Sequence, residues 1–153
     1  MSRVAVIGGG PAGIMAAAAA ADCGHDSVLL EKNEKLGKKL FLTGKGRCNI
    51  TNSCDTDDFF ANIPRNPKFL YSALYGFSNT DIVELINANG VPTKVERGKR
   101  VFPASDKSSD VIKALTRHLN NSGAELRLNT EVSGIRRAGS GFELTVNGCR
   151  EAF

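Results

Sequence analysis

A chain of 153 residues with 41% hydrophobic and 24% charged residues has the size and composition of one globular domain and is too apolar to stay disordered. Its longest apolar run, Ile14 to Ala21, falls well short of the ~20 residues that a membrane-crossing helix needs. A lone Arg3 followed at once by a β-branched run is not the layout of a secretory leader, so a cytoplasmic protein with no membrane partner is expected. The net charge of +4 suits an anionic ligand, but the basic residues are mixed with Glu34, Glu96 and Asp110 and form no nucleic-acid-binding motif. Nucleic acid is therefore not expected as a partner.

In chain order, Arg3 to Ile7 reads as a short β-strand, Gly8 to Gly13 as a glycine-rich turn, Ile14 to Cys23 as a helix closed by Gly24, and Ser27 to Glu31 as a second strand. Two such apolar strands around a helix suit the interior of a parallel sheet. Residues 32–107 read as an excursion from that sheet, with loop chemistry from Thr43 to Asn66. Pro67 suits a first helical position, with Phe69, Leu70, Ala73, Leu74 and Phe77 on one face; a second helix runs from about Asp81 to Ala88 with Ile82, Leu85 and Ile86 inward. Thr93 to Glu96 and Arg100 to Phe102 are strands around a turn at Arg97 and Gly98. From Ser108 a helix presents Val111, Ile112, Leu115 and Leu119, and Glu125 to Leu128 supplies a third parallel strand. Val132 to Arg136 and Phe142 to Val146 are further strands, with a hairpin turn at Asn147 and Gly148 leading to a last strand from Cys149.

The chemistry concentrates at two places. Gly8, Gly10 and Gly13 form GxGxxG directly after a strand and at the start of a helix, and Glu31 ends the next strand 18 residues after Gly13. In that arrangement Gly8 makes the tight turn, Gly10 admits a pyrophosphate, Gly13 lets the helix approach the strand, and the helix N-terminus faces the phosphates. Glu31 would accept hydrogen bonds from a ribose and would repel a 2′-phosphate, which disfavours NADP here. The second place, Thr43 to Asn52, packs two glycines, two cations and several amides and hydroxyls into ten residues. Those residue types suit a loop against a phosphate-bearing ligand and equally suit an ordinary surface turn.

Four cysteines, Cys23, Cys48, Cys54 and Cys149, include no CxxC pair, and His25 and His118 lie far apart, so no metal site is expected and the thiols should be reduced. Cys48 and Cys54 raise the alternative of a dithiol relay of the flavoprotein disulfide reductase kind, although five intervening residues and the GRCN context do not match that motif.

With GGGPAG at Gly8 to Gly13, KLGKKLFLTGKGRCNITN at Lys35 to Asn52 and GKRVFPASD at Gly98 to Asp106, the chain resembles the BaiN-like, or aminoacetone-oxidase-type, family of FAD-dependent oxidoreductases over nearly its whole length. The resemblance implies a Rossmann-like α/β domain of the glutathione-reductase type, a parallel sheet with a β-meander. It carries part of an inserted domain and is incomplete at the C-terminus, since members of that family are much longer. Residues 1–31 would form the dinucleotide-binding unit, 32–107 the flavin-contacting loop and inserted segment, and 108–153 the return to the sheet. FAD would rest on Gly8, Gly10, Pro11, Ala12 and Gly13 by its pyrophosphate and on Glu31 and Lys32 by its adenosine ribose. Gly46, Arg47, Cys48 and Asn49 would line the flavin side, with Arg47 the expected electrostatic contact, and the backbone of Val132 would meet the adenine. Function is then expected to be electron or hydride transfer through FAD between NAD(P)H or a small organic substrate and an acceptor. A non-catalytic dinucleotide-binding module and an NAD-binding dehydrogenase domain are the alternatives. No residue is assigned as catalytic, and the sequence leaves substrate and oligomeric state open.

Overall fold

Arg3–Ile7 forms β1, and the chain then turns at Gly8 into α1, Pro11–Asp22, and returns as β2, Asp26–Leu30. The elements that follow are α2 (Lys38–Leu42), a 3-10 turn (Thr43–Gly46), β3 (Thr51–Asn52), α3 (Thr56–Ala61), a second 3-10 turn (Pro67–Leu70), α4 (Tyr71–Gly76) and α5 (Asn79–Ala88). The last are β4 (Thr93–Glu96), β5 (Arg100–Pro103), α6 (Ser108–Ser122), β6 (Glu125–Arg127), β7 (Val132–Ala138), β8 (Gly141–Val146) and β9 (Cys149–Ala152). This computed structural model describes residues 1–153 and comprises two compact units, Met1–Leu40 with Leu115–Phe153, and Phe41–Ala114.

In the first unit β2 lies between β1 and β6 in a parallel sheet, in the register Val6↔Leu29 and Leu29↔Leu126. A strand flanked on both sides and covered on both faces has no polar face to show, and Ser27 to Leu30 are all buried. Helix α1 can approach closely because its contact residues are small: Ala17 and Ala18 are fully buried, and the Ser27 hydroxyl donates to the Ala17 carbonyl at 2.9 Å. Gly24, at φ 80°, ends the helix where a side chain would be strained. The antiparallel meander β7-β8-β9 turns at Asn147 and Gly148, both at positive φ, the geometry of a type I′ hairpin. Leu144 and Val146 pack with Val28 and Leu30 into one core, flanked by Ala5, Val132 and Phe153. The outer edge of β1 carries no partner strand, and an open groove of about 620 Å³ lined by Ile7, Ile135, Phe142 and Phe153 runs beside it.

In the second unit β5 is central to an antiparallel sheet ordered β3-β5-β4, with Val101, Phe102 and Pro103 buried. Helix α5 starts at a reciprocal capping box between Ser78 and Asp81 and turns Ile82, Leu85 and Ile86 inward as expected. Buried Asn79 donates its amide to the carbonyls of Asn52 (2.7 Å) and Cys54 (2.8 Å), fixing the end of β3. Helix α6 straddles the division of the chain and buries the expected residues Val111, Leu115 and Leu119, with Ile112 half-buried.

Two expectations are corrected. Thr43 to Asn66 is not unbroken loop, since it includes β3 and α3, the latter capped by the Asp55 carboxylate accepting from Asp58 N at 2.8 Å. The expected apolar face at Phe69, Leu70 and Phe77 is exposed, Phe69 by 79%. A 3-10 turn, with three residues per turn, followed by six residues of α4, breaks the i, i+4 stripe before it can face a core. The rings that do meet are Phe60, Tyr71 and Tyr75, with Phe60 and Tyr71 edge to face at 4.4 Å.

Leu30 is 1% exposed and lies in the core shared by sheet and meander. Leu30→Ala should cost about 2–5 kcal/mol in denaturant unfolding; a loss under ~1 kcal/mol would mean that the meander does not pack on the sheet.

Candidate cofactor site

The glycine turn between β1 and α1 has a separate reason for each glycine. Gly8 sits at φ 105° and donates its N–H to the Leu30 carbonyl at 2.8 Å, tying the turn to β2. A Cβ on Gly13 would lie 1.9 Å from the Gly8 carbonyl oxygen, so the first turn of α1 packs directly on the chain that enters it. Gly9 is equally constrained: its Cβ would meet Leu36 Cδ2 at 2.3 Å and Glu31 Cβ at 3.0 Å. At Gly10 a Cβ would meet nothing within 4 Å, and Pro11 and Ala12 are exposed beside it. Gly10 caps α1 with no side-chain hydrogen bond, and no acidic residue lies in the first turn. The helix thus presents unneutralised N–H groups at an open glycine, which fits a diphosphate.

Glu31 is 7% exposed and holds the turn. Its Oε2 accepts from Gly9 N at 2.6 Å, and its Oε1 accepts from Asn33 N at 2.7 Å and from the Asn33 amide Nδ2. Burial pushes this carboxyl up, but the N–H bonds from Asn33 and Gly9, the Asn33 amide and the nearby charge of exposed Lys32 outweigh it and hold the group below its ordinary value. The backbone carbonyl of Glu31 accepts from Thr130 N at 2.9 Å.

In the second unit the loop Gly44 to Cys48 passes through positive φ at Gly44, Lys45, Gly46 and Cys48. Cys48 is 1% exposed, and burial pushes its thiol up, with a Thr43 hydrogen bond opposing. Arg47 does not offer the open fork expected of it. Its Nη2 donates to Glu96 Oε1 at 2.5 Å and to Asp106 Oδ1 at 2.6 Å, and its guanidinium lies over the Phe102 ring at 4.3 Å. Lys94 bonds the same Asp106 at 2.6 Å, so two cations and two carboxylates close a neutral cluster. Hydrogen bonds from Lys94 and Arg47 hold Asp106 low, and those from Arg47 hold Glu96 low. Asn49 is exposed and Gly46 half-buried in the same loop. Val132 opens edge strand β7 opposite Val146, its side chain against the core.

Residues Gly9, Asn33 and Leu36 belong to this site and were missed from sequence. Gly9 occupies a free position of GxGxxG, and Asn33, two residues beyond Glu31, carries no motif of its own. The acidic partners of Arg47 lie 49 and 59 residues further along the chain, beyond the reach of local pattern.

Residues 2–152 match the family model of the HI0933-like protein Rossmann domain. The chain belongs to this family. HI0933-like domains are the FAD-binding part of flavin-dependent oxidoreductases, the group indicated by the TGKGRCNITN string, and FAD is their cofactor. The chain is 33% identical to the 3-dehydro-bile acid delta(4,6)-reductase of Clostridium scindens over 98% of its own length and 36% of that protein's. It is 30% identical to the ribosomal RNA dihydrouridine synthase of Escherichia coli over 94% of its length and 35% of that protein's. It thus spans about a third of the curated relatives it matches. The crystal structure of Thermovibrio ammonificans THI4 shares its fold at a TM-score of 0.62 and 12% identity, over 95% of this chain and 46% of that one. Within this HI0933-like domain Cys48 and Cys54 are both free thiols. With its thiol buried and pushed up, Cys48 is not the exposed, low-pKa thiolate that a dithiol relay uses.

Gly13→Ala should destabilise the fold by about 1–3 kcal/mol or more, read as a fall in melting temperature; an unchanged melt would contradict the 1.9 Å approach to Gly8. Because the folded Glu31 carboxyl is held low, its contribution to stability is present above the ordinary Glu range (~4.3) and fades as pH falls through the depressed folded value. Stability curves of wild type and Glu31→Gln should therefore converge toward acid pH and stand apart near neutrality.

Proposed function

We propose that this chain grips FAD between the open N-terminus of α1 and the Glu31 carboxylate, and that the enzyme reduces a carbon–carbon double bond conjugated to a carbonyl in a small organic molecule, with NAD(P)H as electron donor. The observation that carries the reading is the uncapped helix at Gly10, where the side-chain position is empty, beside a turn clamped by Glu31. The turn Gly8 to Gly13, with Pro11 and Ala12 at the mouth, receives the diphosphate on the N–H groups of Gly10, Ala12 and Gly13, since those of Gly8 and Gly9 are held by Leu30 and Glu31. Glu31 accepts from the adenosine ribose with Lys32 alongside, and the backbone edge at Val132 takes the adenine. In the second unit Arg47 braces the loop of Gly46, Cys48 and Asn49 through Glu96 and Asp106. FAD, when bound, supplies two-electron transfer as a hydride.

The reaction class is drawn from the names of the relatives. A 3-dehydro-bile acid delta(4,6)-reductase and a dihydrouridine synthase both add hydrogen across a double bond conjugated to a carbonyl, one in a steroid and the other in a pyrimidine. The small-molecule reading follows the 33% identical reductase. The second reading, reduction of uridine in ribosomal RNA, is favoured by relatives of that name at 30% and 29% identity and by the +4 net charge. Four free cysteines suit a reducing cytoplasm, and no helix is long and apolar enough to cross a membrane.

Adding FAD to the purified protein and desalting should leave flavin absorbance near one equivalent. A colourless folded protein would overturn the binding assignment, and turnover of a steroid enone as against a uridine-containing ribosomal RNA fragment decides between substrates. Gly10→Ala should melt with the wild type, since the added methyl meets nothing within 4 Å, yet bind FAD about tenfold more weakly because it fills the space of the diphosphate. Equal affinity would remove the diphosphate from Gly10.

A further inference from the structure

Glu31 spends most of its hydrogen-bonding capacity on the protein itself. A carboxylate offers about four acceptor positions. On Oε1 both are filled, by the backbone N–H of Asn33 at 2.7 Å and by its side-chain amide; on Oε2 one is filled, by Gly9 N at 2.6 Å. A single position is left, on Oε2.

The Asn33 amide is itself oriented. Lys38 donates from Nζ to Asn33 Oδ1 at 3.1 Å and pairs with Glu34 at 3.1 Å, so a cation holds the oxygen end and the carboxylate takes the nitrogen end. The Asn33 backbone carbonyl accepts from Asn129 N at 3.0 Å, a bond that any side chain at this position preserves.

We propose that Asn33 is a positioning residue that locks one oxygen of Glu31 and thereby restricts the carboxylate to reading a single hydroxyl of the adenosine ribose. The proposal rests on Glu31 receiving that ribose. The charged groups around the carboxylate are Lys32 directly and Lys38 through Asn33, while Glu34 is engaged by Lys38. Removing the Asn33 amide withdraws one of the bonds that keep Glu31 ionised, so the affinity for a ribose-bearing ligand should begin to fall at a higher pH on the acid side.

The test is a fluorescence titration with FAD, across the acid range, of wild type, Asn33→Ala and the isosteric Asn33→Asp, each checked for folding by its melt. Both variants should bind FAD about tenfold more weakly, the loss of one charge-assisted hydrogen bond, and their acid limbs should move to higher pH. Titrating wild type with ADP, 2′-deoxy-ADP and 3′-deoxy-ADP should show one deoxy analogue binding like ADP and the other clearly weaker. If Asn33→Asp and Asn33→Ala keep wild-type affinity and pH profile, or if both deoxy analogues are equally impaired, Asn33 does not set the recognition. A wild type that binds neither FAD nor ADP would bring down the ribose assignment as well, whereas a binding wild type with unaffected variants overturns this inference alone.

Discussion

A buried carboxylate that accepts a backbone N–H from a glycine turn is the constraint on which the dinucleotide-binding unit depends. Glu31 follows directly on β2, and Gly9 belongs to the turn after β1, so their 2.6 Å bond joins two parallel strands beyond the last rung of their ladder. The bond needs Gly9 to lack a side chain, because Leu36 and the body of Glu31 occupy the space where a Cβ would go. Gly13 needs the same freedom against Gly8. With those positions committed to packing, Gly10 is left facing open space at the helix end, and the shape of the site is the remainder left by the packing.

The first strand, helix and second strand were legible because their determinants are local: a β-branched run, a glycine turn, an alanine helix ended by Gly24 and an apolar strand ended by an acid. Helices α5 and α6 and the Asn147–Gly148 hairpin were legible for the same reason, each declared by its own periodicity or turn residues. Phe69, Leu70 and Phe77 misled because an apolar stripe registers only where the helix keeps its period, and Pro67 begins a 3-10 turn instead.

Arg47 shows how far residue type carries a site reading. A guanidinium in a glycine-rich loop is rightly taken for an anion ligand, but in the folded chain the anions are Glu96 at the end of β4 and Asp106 in the turn after β5. Asp106, at φ 56°, is held in a conformation that local sequence does not announce. The charge cluster joins three segments of the second unit and cancels internally, with each group about a third exposed. Its worth lies in fixing loop geometry more than in stability, as is usual for partly exposed ion pairs. Asn33 escaped notice for the same physical reason: that its amide faces Glu31 is something only the folded chain reveals.

The free edge of β1 bears on how the domain behaves in solution. A parallel sheet grows by backbone pairing, so a strand with one unsatisfied side next to an apolar groove lined by Ile7, Ile135 and Phe142 is a surface on which molecules can stack. A net charge of +4 opposes such stacking by long-range repulsion, a force that salt screens within ~10 Å at 0.1 M ionic strength. The charge repulsion that opposes pairing at this edge is therefore strongest in dilute buffer and weakest in concentrated salt.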